Sequence, residues 1–224
     1  MRYLARAFIS ATVLGLLLVA SAWSYPVAKD QIIYISHGYG TTNGGEWKIS
    51  DSSGEYLFTT FCLERDEYLD RNKPFIVGDI SAMADNGGVN TNSGDPLSNE
   101  TKWLFWHYIQ EDLDDLVNGY TYNSNQGADA LQRAIWKLEE EIVNTNDSLA
   151  NQLISIAQAN SAGFVEDVAV INLKWPNGCN GQDLLVAGDP YVPPQDEPVP
   201  EPSTFLLTGL GLLGAALIRR KMAK

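Results

Sequence analysis

Two apolar runs bracket this chain and confine the part that can fold. The first, Ala7 to Val19, follows Arg2 and Arg6 and leads into Ala20-Ser21-Ala22. A basic start, a short hydrophobic stretch and a small-residue site are the parts of a secretory signal peptide. Residues 1–22 are therefore expected to be removed, with cleavage after Ala22, or alternatively after Ser24 or Ala28. The run is short for a retained anchor. The second run, Phe205 to Ile218, is followed at once by Arg219, Arg220 and Lys221. With Ser203, Thr204 and snorkelling basic side chains at its flanks, residues 203–224 are expected to span a membrane and keep their basic end in the cytoplasm. Residues 189–202 before it are rich in Pro and acid and suit an extended linker. The folded part is then residues 23–188, the size of one ordinary domain.

Charge divides along the same lines. The chain carries 15 Lys+Arg against 28 Asp+Glu, a formal net charge of −13. Six of the 15 basic residues lie at the ends (Arg2, Arg6, Arg219, Arg220, Lys221, Lys224), which leaves 9 against all 28 acidic ones, or −19. A surface this acidic excludes nucleic acid as a partner, because neutralising phosphates needs clustered Lys and Arg. It also excludes binding to an anionic membrane surface except through the C-terminal segment.

Val199-Pro200-Glu201-Pro202-Ser203-Thr204, then the Gly/Leu-rich run, then Arg219-Arg220-Lys221, resembles a PEP-CTERM sorting signal. The resemblance covers only the C-terminal end. It implies an exosortase partner in the inner membrane of a Gram-negative bacterium, acting near Pro200, Glu201 and Pro202. The precursor would be anchored in that membrane and the product released or attached at the cell surface or in an exopolysaccharide or biofilm matrix. Gly209, Gly211 and Gly214 match a dinucleotide fingerprint in spacing, but no strand or βαβ unit surrounds them. Small residues on a membrane helix account for them better.

Between the ends, strands and helices separate by pattern. Short β-branched or aromatic segments at 31–36, 45–50, 55–64, 74–78, 165–175 and 184–187 predict strands, with Asp51–Gly54 as a hairpin turn. Helices are predicted from Ser98, over Ala128–Val143 with Leu131, Ile135 and Leu138 on one face, and from an Asp147-Ser148 cap. Residues 85–95 are rich in Gly and Asn and suit a long loop. The order points to an α+β domain, a β-sandwich or barrel with a helical insertion.

Two cysteines, Cys62 and Cys179, occur in a chain bound for an oxidising compartment, where a disulfide is the ordinary expectation. Their settings differ: Cys62 lies in an apolar strand, Cys179 in a Gly/Asn loop. A second partner for Cys62 is Gln132, beside the apolar face of the Leu131–Trp136 helix. Phe61-Cys62-Leu63 together with Leu131-Gln132-x-x-Ile135-Trp136 resembles the Cys–Gln thioester domains of bacterial surface adhesins, over roughly residues 55–143. The resemblance implies that the Cys62 thiol condenses with the Gln132 amide and releases ammonia. The thioester is then an acyl donor toward a partner's amine. Phe61, Trp103, Leu131 and Trp136 are candidate walls of an apolar pocket, with His107 and Tyr108 as candidate polar neighbours. This is single-turnover bond formation, not an enzyme cycle, and it calls for no cofactor. The partner would be a protein amine or an exopolysaccharide at the surface or in the matrix. The alternative is a non-covalent structural or carbohydrate-binding matrix protein, with Cys62 buried or disulfide-bonded to Cys179 and Gln132 on a helix surface. Trp47, Trp103, Trp106, Trp136 and Trp175 would then form a sugar platform or, more often, a core. Asp112, Asp114, Asp115 and Glu139–Glu141 are expected on solvated helix faces. No metal is expected, since His37 and His107 have no Cys/His cluster and Asn90 to Asp95 lacks the EF-hand spacing. No nucleophile elbow or distinguished acid pair marks a hydrolase.

Overall fold

Ile33 and Ile35 are buried while Ile32 and Tyr34, which alternate with them, are exposed, so β1 (Ile32–His37) offers one apolar face. Trp47 and Ile49 do the same for β2 (Trp47–Ser50). Asp51 donates its N–H to Glu55 at 3.0 Å, and Gly54 supplies the left-handed residue of the turn at φ +87°, which leads into β3 (Tyr56–Thr60). β4 (Phe75–Ser81) follows, then a two-residue ribbon of β5 (Met83–Ala84) and β6 (Asp95–Pro96). β7 (Val168–Lys174) and β8 (Asn180–Ala187) are buried on both faces and close the domain. The computed structural model describes residues 25–41, 44–85 and 94–188. The expected signal peptide, linker and membrane-spanning segment lie outside the described residues, as do Pro200, Glu201, Pro202, Arg219, Arg220, Lys221 and most of the 85–95 loop. Among the described residues no helix is long and apolar enough to cross a membrane.

The helices lie between β6 and β7: α1 (Asn99–Ile109), α2 (Leu113–Leu116), α3 (Asn125–Leu138) and α4 (Ser148–Asn160). Ser98, Ser124 and Asp147 cap α1, α3 and α4, each accepting from backbone N–H groups of the first turn. Such a cap contributes about 0.5–2 kcal/mol. The helix expected over Ala128–Val143 starts three residues earlier and stops at Leu138. Glu140 takes a left-handed φ of 63° there, and Glu141 N–H returns to Trp136 O at 2.8 Å, a helix-ending turn.

All pairings are antiparallel, in the order β3-β2-β1-β4-β7-β8. The mixed α and β architecture and the helical insertion agree with expectation; the barrel does not form. β3 stops at Thr60 and β8 is the other edge, and the two edges meet only at a bridge between Cys62 and Leu184. A barrel needs a ladder that continues around the closure. A sandwich does not form either, since among the described residues the second sheet is only the two-residue ribbon. Two apolar clusters result. Ile33, Ile49, Phe75, Val77, Ile171 and Leu184 fill the inner face of the sheet. Phe61, Leu63, Val170 and Leu185, on the opposite faces of their strands, pack with Leu104, Phe105, Leu131, Ile135 and Leu153 of the helices.

Candidate functional site at Cys62 and Gln132

Strand alternation places Cys62. Phe61 and Leu63 belong to the helix-side cluster and Cys62 to the inner one. The bridge to β8 is made by its neighbours: Leu63 N–H donates to Asp183 O at 3.0 Å, and Leu185 N–H to Phe61 O at 3.2 Å. The N–H and C=O of Cys62 itself therefore face away from β8. The strand that should receive them is absent, because β2 begins at Trp47, opposite Thr60. The segment before it folds back instead, with Glu46 N–H donating to Tyr39 O at 2.7 Å.

Gln132 of α3 takes the vacant place. Cys62 N–H donates to Gln132 Oε1 at 3.1 Å, and Gln132 Nε2 donates to Cys62 O at 2.8 Å. The side-chain amide stands in for one peptide of a neighbouring strand and satisfies two buried backbone groups at once. Gln132 is fully buried, so it is not the helix-surface residue of the alternative expectation. Gly44 makes the fit possible: a Cβ there would lie 2.9 Å from Gln132 Cγ and 3.1 Å from Trp136 Cη2. Gln132 lies at the floor of a cleft of about 750 Å³ bordered by Thr41, Gly44, Arg65, Arg133 and Trp136.

The electrostatics around Cys62 keep its thiol protonated. Burial pushes its pKa far up and the nearby Glu64 carboxyl adds to this. The Trp47 indole pulls weakly the other way, as a nearby dipole, since its N–H reaches no acceptor in hydrogen-bond geometry. Glu64 is itself buried, next to Asp183. Glu64 Oε2 accepts from Asp183 N–H at 3.0 Å and Gln182 Nε2 at 2.9 Å; Asp183 Oδ2 accepts from Asp85 N–H at 2.6 Å and Asn172 Nδ2 at 3.2 Å. Their other oxygens, Glu64 Oε1 and Asp183 Oδ1, are buried without a partner. Burial first, then the charges of Asp183 and Glu67 at Glu64 and of Glu67 and Asp85 at Asp183, hold both carboxyls above the usual carboxylate range. Nothing in the sequence marked these acids, one just beyond β3 and one within β8, both of which look solvated.

The other expected pocket residues separate. Phe61, Trp103, Tyr108 and Leu131 are core of the helix-side cluster, with Phe61 and Tyr108 edge to face at 5.0 Å. His107 bonds Asp112 through Nδ1 at 2.9 Å and lies 4.1 Å from the Trp103 ring. Of the six, only Trp136 lines the cleft beside Gln132. The five tryptophans share no face: Trp47 lies in the inner cluster, Trp103 and Trp106 among the helices, and Trp175 on Phe75 at 4.4 Å. Glu139 is not solvated as expected; it is buried and its Oε1 accepts from Ser98 Oγ at 2.6 Å. Glu141 accepts from Arg65 N–H at 3.1 Å. The expected disulfide is not formed. Cys62 is a buried thiol and Cys179 an exposed one at the β7–β8 turn. Cys179 is five residues along the strand from Leu184, the bridge partner of Cys62, or about 17 Å at strand rise. A disulfide requires Cα atoms about 4.4–6.8 Å apart. Among the described residues no group of three or more His, Cys, Asp or Glu is placed to hold a metal ion.

In comparison with known families, residues 198–221 match the PEP-CTERM protein-sorting motif. That motif implies an exported protein made as a membrane-anchored precursor and processed by exosortase. Neither the comparison with curated proteins nor that with solved structures gives a match for the chain.

Proposed function

We propose that the exported domain carries an internal thioester between Cys62 and Gln132 and uses it to bond covalently to a surface or matrix partner. The observation that supports this most directly is the pair of hydrogen bonds that holds the Gln132 amide on the Cys62 backbone, fully buried at the floor of a cleft. The Cys62 sulfur attacks the amide carbon of Gln132, a C–S bond forms and the C–N bond breaks. The thiol proton leaves with the nitrogen as ammonia. Cys62 N–H already points at Oε1, where negative charge develops, and so serves as a donor to the oxyanion. A partner amine arriving through the cleft then attacks the same carbon. An amide forms, and the amine's proton returns to sulfur to restore the thiol. The raised thiol pKa makes Cys62 a reluctant leaving group, which suits an acyl donor that must outlast water. The matrix or biofilm setting belongs to this proposal too.

A second reading rests on the same two hydrogen bonds. In it, Gln132 only fastens α3 to the sheet, Cys62 remains a buried thiol and any partner is held without a covalent bond. Methylamine separates the two. The thioester protein should take up one methylamine at Gln132 and go from one titratable thiol, Cys179, to two. Cys62→Ala should do neither. Native protein that incorporates no methylamine contradicts the thioester and leaves the fastening role.

A further inference from the structure

Beyond the Cys62 chemistry, a second cleft of about 680 Å³ opens beside Tyr39 and Glu46. Its polar and aromatic groups come from separate parts of the chain: Tyr39, Glu46, Lys48 and Tyr56 from the sheet side, Tyr108 and Tyr122 from the helical insertion. Tyr39 and Tyr56 keep 37% and 58% of their surface in water, though both are large aromatic residues in a domain whose other rings are mostly packed. The rings are held in place. Tyr56 OH and Thr59 Oγ1 are 2.9 Å apart. Tyr122 OH accepts from Leu113 N–H at 2.8 Å and donates to His107 O at 3.2 Å. Glu46 is buried at the base, accepts from Tyr39 N–H at 3.2 Å and, after burial, helps hold the Tyr108 hydroxyl protonated. Lys48 Nζ lies 6.0 Å from the centre of the Tyr39 ring.

We propose that this cleft binds a segment of neutral polysaccharide. A pyranose presents an apolar C–H face and a rim of hydroxyls. Fixed tyrosine rings interleaved with a carboxylate, an ammonium and phenolic hydroxyls complement both parts. The balance of −19 and the Glu46 and Glu111 carboxylates at the cleft exclude a polyanion. A flexible cationic peptide is the competing class. It would use the carboxylates but would leave the exposed ring faces without the flat apolar partner that they fit.

The test is calorimetric titration of the intact domain with cellohexaose, maltohexaose and chitohexaose, and with hexalysine. At least one hexasaccharide should bind, and Tyr56→Ala should weaken it about tenfold, the loss of roughly one aromatic contact. Tyr34→Ala removes a comparably exposed ring on β1 outside the cleft and should change nothing. Tyr56 is the most exposed of the cleft rings, so its removal should leave the melting temperature close to native. The proposal is overturned if no hexasaccharide binds, if Tyr34→Ala weakens binding as much as Tyr56→Ala, or if hexalysine alone binds and Tyr56→Ala abolishes that.

Discussion

With every variant made on a Cys62→Ala background, which keeps the Gln132 amide intact, Gln132→Ala should destabilise the domain by about 2–6 kcal/mol, because it strands two buried backbone groups of residue 62 at about 1–3 kcal/mol each. Against a total stability of about 5–15 kcal/mol, that is enough to unfold much of the population on mild warming. Leucine in its place should do no better, since shape without polarity leaves the same groups unpaired. Gln132→Glu is more telling. An ionised carboxylate would face the Cys62 carbonyl, 2.8 Å from the present nitrogen, whereas a protonated one can donate to it. That variant should therefore regain stability as the pH falls. Arg133→Ala, one residue away, loses only a partly exposed ion pair with Asp147 and should cost no more than about 1 kcal/mol. Denaturant titration of the four variants, with Gln132→Ala no less stable than Arg133→Ala, would contradict the role given to the amide.

The second large effect is on pH. Glu64 and Asp183 are both raised in the folded state, chiefly by burial. Below about pH 4 they are protonated in both the folded and the unfolded chain and contribute no difference. As the pH rises, the unfolded chain gives up these protons first, while the folded state still holds them or pays to ionise them. Stability is therefore greatest in mild acid and falls from about pH 4 upward through neutrality, by about 1.4 kcal/mol for each tenfold difference in proton affinity. The buried Glu139 acts in the same direction, so the diagnostic is the difference between native protein and variant. Glu64→Gln keeps an acceptor for Gln182 and the Asp183 N–H and removes one buried charge. It should raise the melting temperature at pH 8 by several degrees, at about 2–4 °C per kcal/mol for a domain of this size, and leave it nearly unchanged at pH 4. Parallel curves for the two proteins between pH 4 and 8 would show that this pair does not carry the dependence.

Much of this was written in the local pattern. The period-2 alternation through Phe61, Cys62 and Leu63 separates the two clusters, and the Ser98 and Asp147 caps start helices where expected. Gln132 stood out as an amide against an apolar helical face, which is the sequence mark of a buried polar group with a specific partner. What stayed hidden depends on distant pairing. That Cys62 meets Leu184, more than a hundred residues later, is set by how far the sheet curls. The same pairing buries Glu64 against Asp183, so two acids that look solvated become the most perturbed carboxyls. The tryptophans misled because their size, not their spacing, decides burial, while the cleft aromatics proved to be tyrosines contributed by separate elements. Helix α2 and the β5–β6 ribbon are too short to leave a periodic signal.

The thioester is tested most directly by the intact mass of freshly purified, exported native domain beside that of Cys62→Ala. The thioester predicts a native mass one ammonia below that of the sequence, and a Cys62→Ala mass equal to its own sequence. A native protein at full unmodified mass, with both Cys62 and Cys179 titrating as thiols on unfolding, would contradict it.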